Sequence, residues 1–387
     1  MSLILGFGIA FLLALCSMPL ILRIATKHKL FDSIDERKIH TGEIPRLGGL
    51  GIFIGFAASV LLTTLVTGKG IQTGGRFLVV LLCMLSIHLL GLIDDFRNLK
   101  ARYKFIVELL EATLLVAIGF RFQPESLRDF WGLLGLDFLA IPVSVIWIIG
   151  IINAVNLIDG MDGLAGGIAA FSAGIFGILF CVRGDTGAAL ACFAMLGATL
   201  GFLVFNFPPA KIFMGDSGAL FLGFTLAVLP LIAPAAGKNE IGIVSAITVL
   251  LIPIYDTFAA ILRRMRARIS IFKPDKLHLH HKLLGLGLSV RSALLVIYGA
   301  QLVLCLAAMS HLFLPSMISL AVKIGTWVVF AGLFYLLGAS TRKRETAVGN
   351  DVDRTGSGTG ENKSSTATTM KTSLIGSAIG SSEASRT

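Results

Sequence analysis

Charged residues are scarce in this chain: they make up only 14% of its 387 residues, against 55% hydrophobic residues. A soluble globular domain carries about 25% charged residues, and the mean hydropathy of +0.86 lies far from that balance. Runs of about 18 or more apolar residues recur along the chain, which is typical of transmembrane helices. The composition therefore argues against a soluble protein and predicts an all-α polytopic membrane protein.

Cysteine pairs and soluble nucleotide-binding motifs are also lacking. The five cysteines lie in apolar runs without CxxC spacing, so they predict neither a disulfide framework nor a metal site. No GxxxxGK[ST] motif is present and no GxGxxG follows a strand, which excludes P-loop and Rossmann nucleotide sites. The cysteines are Cys16, Cys83, Cys181, Cys192 and Cys305.

Apolar runs of about 17 to 22 residues predict about eleven transmembrane helices. The first begins MSLILGFG without a basic n-region, so we expect a span there and no cleavable signal peptide. The predicted spans are 3–22, 47–67, 77–93, 105–120, 138–154, 163–182, 187–205, 218–233, 241–260, 292–311 and 318–338.

Basic residues are unevenly distributed between the two sets of loops. One set holds most lysines and arginines, including the run from Arg263 to Arg291, and the other holds only scattered cations. By the positive-inside rule the basic loops are cytoplasmic, which predicts an N-terminus outside and a cytoplasmic C-terminus. Residues 1–340 form the predicted transmembrane domain, and the Ser/Thr/Gly-rich residues 341–387 predict a disordered cytoplasmic tail.

Polar side chains concentrate at the cytoplasmic ends of the predicted spans, which favours one site at that membrane face. The outer loops offer no comparable set. The polar segments are DERKIHTGEIPRLGG (35–49), DDFRNLKARYK (94–104), NAVNLIDGMDGLAGG (153–167), FNFPPAKIFMGDSG (205–218), YDTFAAILRRMRAR (255–268) and KPDKLHLHHKLLGLG (273–287).

Asp94 and Asp95 end the third predicted span. Neighbouring helical residues point about 100° apart, which predicts separate roles for the two carboxylates. The alternative is a plain polar stop after a span. Lys100, Arg102 and Lys104 then either neutralise the pair or hold phosphates in the same site.

Asn153, Asn156, Asp159 and Asp162 recur every three residues, which places them on one broad face of a helix or helix end. Intramembrane carboxylates indicate a functional site by default, and the alternative here is an interhelical hydrogen-bond network.

Asp216 stands directly before an apolar span. Either it is a plain N-cap, or it holds a Mg²⁺ whose other ligands are waters and diphosphate oxygens. Phe213 either stacks on a base or packs at the membrane interface.

The histidines of HLHH, His278, His280 and His281, lie in a basic loop. In an extended segment this spacing offers zinc at most two ligands, and no cysteine completes a set. Histidines beside lysines and arginines suit a polyanion such as a diphosphate, and a solvated loop is the alternative.

Five motifs in this order resemble the polyprenyl-phosphate N-acetylhexosamine-1-phosphate transferases over about residues 1–340. The resemblance implies a Mg²⁺-dependent phosphoglycosyltransferase, with Mn²⁺ as a possible substitute, that moves a sugar 1-phosphate from a UDP-sugar to a polyprenyl phosphate and releases UMP. The motifs are RKIHTGEIPRLGG, DDFRNLKARYK, NAVNLIDGMDGLAGG, NFPPAKIFMGDSGALFLG and HLHH.

The resemblance also implies roles for individual residues. The metal ligand would be Asp216. The catalytic group would comprise Asp94, Asp95, Lys104, Asp159, His280 and His281. The substrate-binding group would comprise Arg46, Asn156, Asp162, Asn206, Phe213 and His278.

HLHH with a leading Asp275 resembles the GlcNAc branch of the family. We therefore expect transfer from UDP-GlcNAc to undecaprenyl phosphate, as the first membrane step of a cell-envelope polysaccharide pathway. The resemblance places the protein in a bacterial inner membrane, with the active site on the cytoplasmic face, as a homodimer without a nucleic-acid partner. Another UDP-N-acetylhexosamine or UDP-MurNAc-pentapeptide is the alternative donor.

Two alternatives are not enzymes. An ion-coupled transporter also carries intramembrane carboxylates, but it would place them near the midplane between repeated halves. A receptor or scaffold would bind lipid-linked sugars without chemistry.

Overall fold

The structure is a computed structural model, and it describes residues 1–30, 44–68, 75–122, 137–232, 241–270 and 277–356. These residues form helices joined by short connections, and no strand ladder occurs among them. The fold class predicted from composition, all-α, is confirmed.

Thirteen α-helices make up the described part of the chain, and we number them in chain order. They are α1 Ser2–Lys27, α2 Gly48–Thr67, α3 Arg76–Arg97, α4 Ala101–Ala117, α5 Ala140–Ile158, α6 Leu164–Val182, α7 Thr186–Asn206, α8 Gly215–Val228, α9 Ile243–Val249, α10 Leu251–Arg266, α11 Leu279–Gly285, α12 Val290–Met309 and α13 Ser316–Gly356.

Eight of these helices are long and apolar enough to cross a membrane. The pair α9 and α10, bent by 80° at its break, makes a ninth if it is one span. The predicted spans 105–120 and 218–233 correspond to α4 and α8, and neither passes the same test. α4 has 17 residues and carries several charges, and α8 has 14 residues. The chain is thus a multi-pass membrane protein, while the number eleven and the orientation of the termini stay predictions.

α8 is the central helix of the bundle, packed against α2, α3 and α5. All of its residues are buried except Asp216. A helix that is apolar on every side is stable only when other helices surround it. The burial of α8 therefore leaves one polar side chain, Asp216, to face the cleft at its N-terminal end.

Small residues allow the helices around α8 to approach closely. A side chain at Gly49 of α2 would come within 2.2 Å of the backbone nitrogen of Gly218, and one at Gly91 of α3 within 2.5 Å of the Ser217 Cα. Membrane helices associate mainly through such close packing, because lipid offers no hydrophobic contrast. These two contacts bring the ends of α2 and α3 beside Asp216.

The last helix, α13, continues to Gly356 and so includes the first part of the predicted tail. The backbone of residues 341–356 is helical, and the disorder of the tail 341–387 stays a prediction. Residues 357–387 lie outside the described part of the chain, and disorder there stays a prediction.

Candidate active site

The site lies where many helix ends meet at one end of the bundle: the ends of α3, α5 and α7 and the starts of α4, α6, α8 and α11. Asp216 is in the first turn of α8, and the N-cap position belongs to Met214. The plain N-cap interpretation of Asp216 is therefore wrong. Gly215 has a φ of 75°, a left-handed conformation that glycine adopts at low cost, and it turns the chain into the helix at this point.

Lys104 joins Asp94, a predicted catalytic carboxylate, to Asp216, the predicted metal ligand. Its Nζ lies 2.7 Å from Asp94 Oδ2 and 2.8 Å from Asp216 Oδ2. Arg46 adds a second cation, with its Nη2 3.4 Å from Asp216 Oδ1 and 4.0 Å from Asp95 Oδ1. Four predicted site residues thus surround Asp216: Asp94, Asp95 and Lys104 from the segment 94–104, and Arg46 from the segment before α2.

Asp94 and Asp95 point to different partners, as expected for neighbouring residues of a helix, while their separate roles in the reaction stay a prediction. Asp94 accepts a hydrogen bond from the backbone N–H of Leu99 in addition to the bond from Lys104. Asp95 accepts from the backbone N–H groups of Asp216, at 2.7 Å, and Ser217, at 3.1 Å. Asp95 therefore satisfies donors at the start of α8 that have no partner within that helix.

The segment before α2 pairs with the segment before α8 through the backbone. The Phe213 N–H donates to the Pro45 carbonyl at 2.8 Å, and the Gly48 N–H donates to the Phe213 carbonyl at 2.9 Å. This pairing holds Arg46 beside the carboxylates and leaves Phe213 partly exposed at the rim. The rest of the motif, residues 35–43, lies outside the described residues.

Residues of NAVNLIDGMDGLAGG divide between two environments. α5 ends at Ile158, so Asp159 follows the helix and faces the cleft. Asn153 instead donates to the buried Glu108 of α4 and to the Ile149 carbonyl, away from the other three polar residues. Asn156 has a buried Nδ2 without a hydrogen-bond acceptor in the described part of the chain, which marks it as a group for a ligand to contact.

Two predicted substrate-binding residues form contacts that shape the adjoining loops. Asp162 Oδ2 accepts from the Ala210 N–H at 3.0 Å. Asn206 accepts from the Gly163 N–H at 2.9 Å and donates to the Ile212 carbonyl at 2.8 Å. Both side chains thus tie the loop after α5 to the loop after α7, and their contact with substrate stays a prediction.

The electrostatic environment of Asp159 differs from that of an exposed carboxyl. Its position in the cleft removes it from bulk water, and the negative charge of Asp216 adds to this effect. Together they raise the pKa of Asp159 from 3.8 to about 7. A fraction of this carboxyl is therefore protonated at neutral pH.

The HLHH segment is helical from Leu279 onward, which differs from the extended geometry considered for a zinc site. His280 is 1% exposed, and neither ring nitrogen has a partner among the described residues. A side chain at Gly160 would come within 3.0 Å of His280 Nε2, so the ring lies directly against the residue after Asp159. His281 lies partly exposed beside it, with ring centroids 4.2 Å apart.

Burial lowers the pKa of His280 to about 3, with a smaller contribution in the same direction from His281. The imidazole is therefore neutral at physiological pH. An incoming anion would favour its protonation, and a role of His280 in the reaction stays a prediction.

Three further residues hold the site together although sequence reasoning did not single them out. Tyr298 Oη donates to the Gly163 carbonyl at 2.6 Å, and Arg291 Nε donates to the Pro208 carbonyl at 3.1 Å. Asp256 contacts the HLHH segment. Asp256 lies in the polar segment 255–268 and Arg291 at the end of the basic run from Arg263, but sequence patterns do not predict which residues each side chain contacts. No pattern in the sequence indicated a role for Tyr298.

The donor chemistry of the cleft suits Mg²⁺ held by few protein ligands. Mg²⁺ prefers oxygen donors and is bound through one or two carboxylates together with waters and substrate phosphates. Asp216 offers such a carboxylate, and three more acids lie around it. No group of three histidine, cysteine or acidic residues within the described ranges has the geometry of a complete metal site, so zinc at HLHH has no support there.

Comparison with known proteins gives the family. Residues 77–233 match the model of Glycosyl transferase family 4. The chain is 37% identical over 295 residues to the probable undecaprenyl-phosphate N-acetylglucosaminyl 1-phosphate transferase of Bacillus subtilis (strain 168), covering 76% of this chain and 81% of that protein. It is 35% identical over 327 residues to the decaprenyl-phosphate N-acetylglucosaminephosphotransferase of Mycobacterium tuberculosis (strain ATCC 25618 / H37Rv), covering 78% and 80%.

A third relative extends the match to 83% of this chain and 88% of the relative. It is the undecaprenyl-phosphate alpha-N-acetylglucosaminyl 1-phosphate transferase of Yersinia pestis, which is 29% identical over 331 residues. The range matched by the family model, 77–233, contains Asp94, Asp95, Lys104, Asp159 and Asp216. The chain belongs to the polyprenyl-phosphate N-acetylhexosamine-1-phosphate transferase family, within Glycosyl transferase family 4.

Proposed function

We propose that this protein transfers N-acetylglucosamine 1-phosphate from UDP-GlcNAc to undecaprenyl phosphate, giving undecaprenyl-diphosphate-GlcNAc and UMP. The names of the relatives support the sugar and the lipid class. The acceptor is a lipid, which suits a site at the end of a bundle of apolar helices.

One observation carries the proposal: Lys104 joins Asp94 to Asp216. Asp94 belongs to the DDFRNLKARYK motif and Asp216 to the NFPPAKIFMGDSGALFLG motif, so two motifs of the family form a single polar cluster. A membrane protein keeps such a cluster only where its charges are paired or used, because burying an unpaired charge is costly.

The reaction exchanges one phosphorus–oxygen bond for another. An oxygen of the lipid phosphate attacks the β-phosphorus of UDP-GlcNAc, the bond from that phosphorus to the bridging oxygen breaks, and UMP leaves with the electron pair. A phosphate monoester has its second pKa near about 6, so most of the acceptor is already a dianion at neutral pH. The acceptor needs little help from a base, and a single displacement is the simplest route.

Asp94 then serves mainly to orient the acceptor, through Lys104. Attack of one anion on another is opposed by charge repulsion, so cationic groups provide most of the stabilisation. Lys104 and Arg46 are the cations in contact with the cluster. In this proposal His280, whose ring nitrogens are buried without a partner in the described residues, would donate a hydrogen bond to a diphosphate oxygen once substrate is bound.

We also propose Mg²⁺ as the cofactor, with Mn²⁺ as a substitute and Asp216 as its protein ligand. The ion would supply positive charge that stabilises the diphosphate and the leaving UMP. Lys104 and Arg46 now contact the two carboxylate oxygens of Asp216, so a bound ion would compete with them for these atoms.

Location and assembly follow from the same proposal. The excess of lysine and arginine at the site end of the bundle favours a cytoplasmic active site in a bacterial inner membrane. UDP-sugars are water-soluble, which agrees with a site at a membrane surface. The proposal that the protein is a homodimer rests only on its resemblance to the family.

UMP release tests the function. Purified protein in detergent is given Mg²⁺, undecaprenyl phosphate and a panel of UDP-sugars that includes UDP-GlcNAc, other UDP-N-acetylhexosamines and UDP-MurNAc-pentapeptide, each component being omitted in turn. We expect UMP only with UDP-GlcNAc, lipid and metal together. Release with a different donor would correct the sugar, and no release from folded protein with any donor would refute the reaction.

Asp94→Asn separates an enzyme from a binding protein. We expect this variant to lose turnover and to keep its affinity for UDP-GlcNAc, because Asp94 acts on the acceptor. Unchanged turnover in the variant would refute the role given to Asp94.

A further inference from the structure

Asp256 of α10 is a buried acid outside the cluster around Asp216. It is 2% exposed, and both of its carboxylate oxygens are used by the HLHH segment. Oδ2 lies 2.8 Å from His278 Nδ1, and Oδ1 accepts from the Leu279 N–H at 2.9 Å. A single side chain thus holds the residue before α11 and the first residue within it.

Each contact fixes a different property of this segment. An ionised carboxylate only accepts hydrogen bonds, so His278 carries its proton on Nδ1 and directs Nε2 away from Asp256. The N–H of Leu279, in the first turn, has no acceptor inside α11. Asp256 therefore sets both the ring orientation of His278 and the start of the helix.

The helix needs such an anchor because it is short. α11 has seven residues, fewer than an isolated helix requires for stability in water. Its buried residues are Leu279, His280 and Leu283, Leu284 packs against the core, and Lys282 Nζ lies 3.9 Å from the centroid of the Phe334 ring. Losing the carboxylate would remove the two contacts that fix the start of the helix and leave its attachment to this side-chain packing.

The anchored segment reaches the active-site loop through stacked histidine rings. The rings of His278 and His280 are parallel within 3°, with centroids 6.0 Å apart. His280 in turn lies against Gly160, the neighbour of Asp159. A shift of His278 would thus be passed to the ring that faces the cleft.

We infer that Asp256 is a positioning residue that holds His280 and His281 in place for the diphosphate of the UDP-sugar. Asp256 has no exposed oxygen left for substrate, so it acts through His278 and the start of α11. That the histidines meet a diphosphate rests on the proposed function. The anchoring itself rests on the contacts of Asp256 alone.

Kinetics of UMP release test the link to substrate. Asp256→Asn keeps one oxygen for two donors, so either the Leu279 N–H or the Nδ1–H of His278 loses its acceptor. We expect KM for UDP-GlcNAc to rise about tenfold, with KM for undecaprenyl phosphate unchanged, since a tenfold change is about 1.4 kcal/mol, the size of one hydrogen bond. A merely structural role would lower the amount of folded protein without separating the two KM values.

A double-mutant cycle with His278→Asn tests whether Asp256 acts through His278. We expect kcat/KM of the double variant to lie within about twofold of the worse single variant, because residues in one contact are not additive. Effects that multiply would contradict action through His278.

Chemical labelling tests the anchoring without using activity. Diethyl pyrocarbonate modifies neutral imidazoles, and mass spectrometry locates the modified ring. We expect labelling of His280 to be slow in the wild type and about tenfold faster in Asp256→Asn, because local opening governs access to a buried ring. The matched control is Asp185→Asn, which removes the charge of an N-cap at the other end of the bundle, where Asp185 accepts from the Ala188 N–H.

The outcomes separate the two proposals. Unchanged labelling of His280 in folded Asp256→Asn, or equal acceleration in Asp185→Asn, would overturn the positioning role. Absence of UMP release by the wild type would refute the proposed function, and labelling would still decide whether Asp256 anchors the helix. Faster labelling with unchanged KM for UDP-GlcNAc would overturn the assignment of the histidines to the diphosphate.

Discussion

Replacing Lys104 by methionine removes the cation that joins Asp94 to Asp216 while keeping most of the side-chain volume. Two carboxylates then face each other without the ammonium that now lies 2.7 and 2.8 Å from them. Removing one partner of a buried ion pair costs about 3 to 5 kcal/mol. Lys104 and Asp216 are 20% and 19% exposed, so water screens part of this loss and we expect about 2 to 3 kcal/mol.

The assay is thermal unfolding in detergent, with and without Mg²⁺. A loss of 1 kcal/mol lowers Tm by about 2 to 4 °C in a domain of about 150 to 250 residues and by less in a longer chain, so we expect a fall of roughly 5 °C. Adding Mg²⁺ should change Tm in the opposite direction to the substitution. The ammonium no longer competes for the Asp216 oxygen, so saturating Mg²⁺ should raise Tm more in Lys104→Met than in the wild type.

Lys100→Met is the matched control for stability, because Lys100 is exposed at the start of the same segment. We expect its Tm to stay within about 1 °C of the wild type, as for most surface substitutions. The reasoning would be refuted if Lys104→Met were as stable as Lys100→Met without Mg²⁺. Equal gains in Tm on adding Mg²⁺ would refute the competition between metal and lysine.

Three further predictions concern pH and packing. His280 has a pKa lowered to about 3, so the unfolded state binds more protons below the ordinary value of 6.5. The free energy of unfolding of the wild type should therefore fall with decreasing pH relative to that of His280→Asn, by about 1.4 kcal/mol per pH unit. Parallel curves of Tm against pH for the two proteins would contradict this. For Asp159 the pH dependence of stability has the opposite sign, because its pKa is raised to about 7 and the folded state binds more protons than the unfolded state. Asp159→Asn should therefore gain stability relative to the wild type as pH rises from about 4 to 7. A difference in Tm that stays constant with pH would contradict this prediction. Gly91→Ala would place a methyl group 2.5 Å from the Ser217 Cα, so we expect the free energy of unfolding to fall by about 1 to 3 kcal/mol and UMP release to be reduced. The control Gly299→Ala, which has open space around the new methyl group, should be neutral or stabilising. Equal Tm values for the two variants would contradict the close approach of α3 to α8.

Sequence reasoning located the helices well because hydrophobicity is a local property. Ten of the eleven predicted spans each coincide with one helix of the structure, and the span 241–260 covers the bent pair α9 and α10. α4 and α8 are too short or too charged to count as complete spans. Charges in α4 such as Glu108 are buried inside the bundle, so average hydropathy underestimates how apolar the surroundings of that helix are. Hydropathy averaged over a window also gave no indication of the 80° bend between α9 and α10, so this pair was predicted as one span.

Residue types also selected side chains that the structure brings together. Burying carboxylates and amides at the ends of apolar helices costs free energy, so such residues indicate a functional site. Asp94, Asp159 and Asp216 were selected in this way, and the structure brings them to one cleft. Asn153 shares the three-residue spacing of its neighbours and donates to Glu108 from within α5, whereas Asp159 and Asp162 lie past the end of this helix at Ile158. Periodicity predicts a common face only while the helix lasts.

The sequence alone determined the membrane class, the helices, the end of the bundle where polar chemistry lies and the family, because each of these depends on composition, local patterns or ordered motifs. Tertiary structure alone decided which groups meet. Lys104 and Asp216 are 112 residues apart in the chain, and Arg46 and Asp216 are 170 apart. Contacts of this kind follow from how whole helices pack, which is why the bridging role of Lys104, the capping role of Asp95 and the anchor at Asp256 appear only in the folded protein.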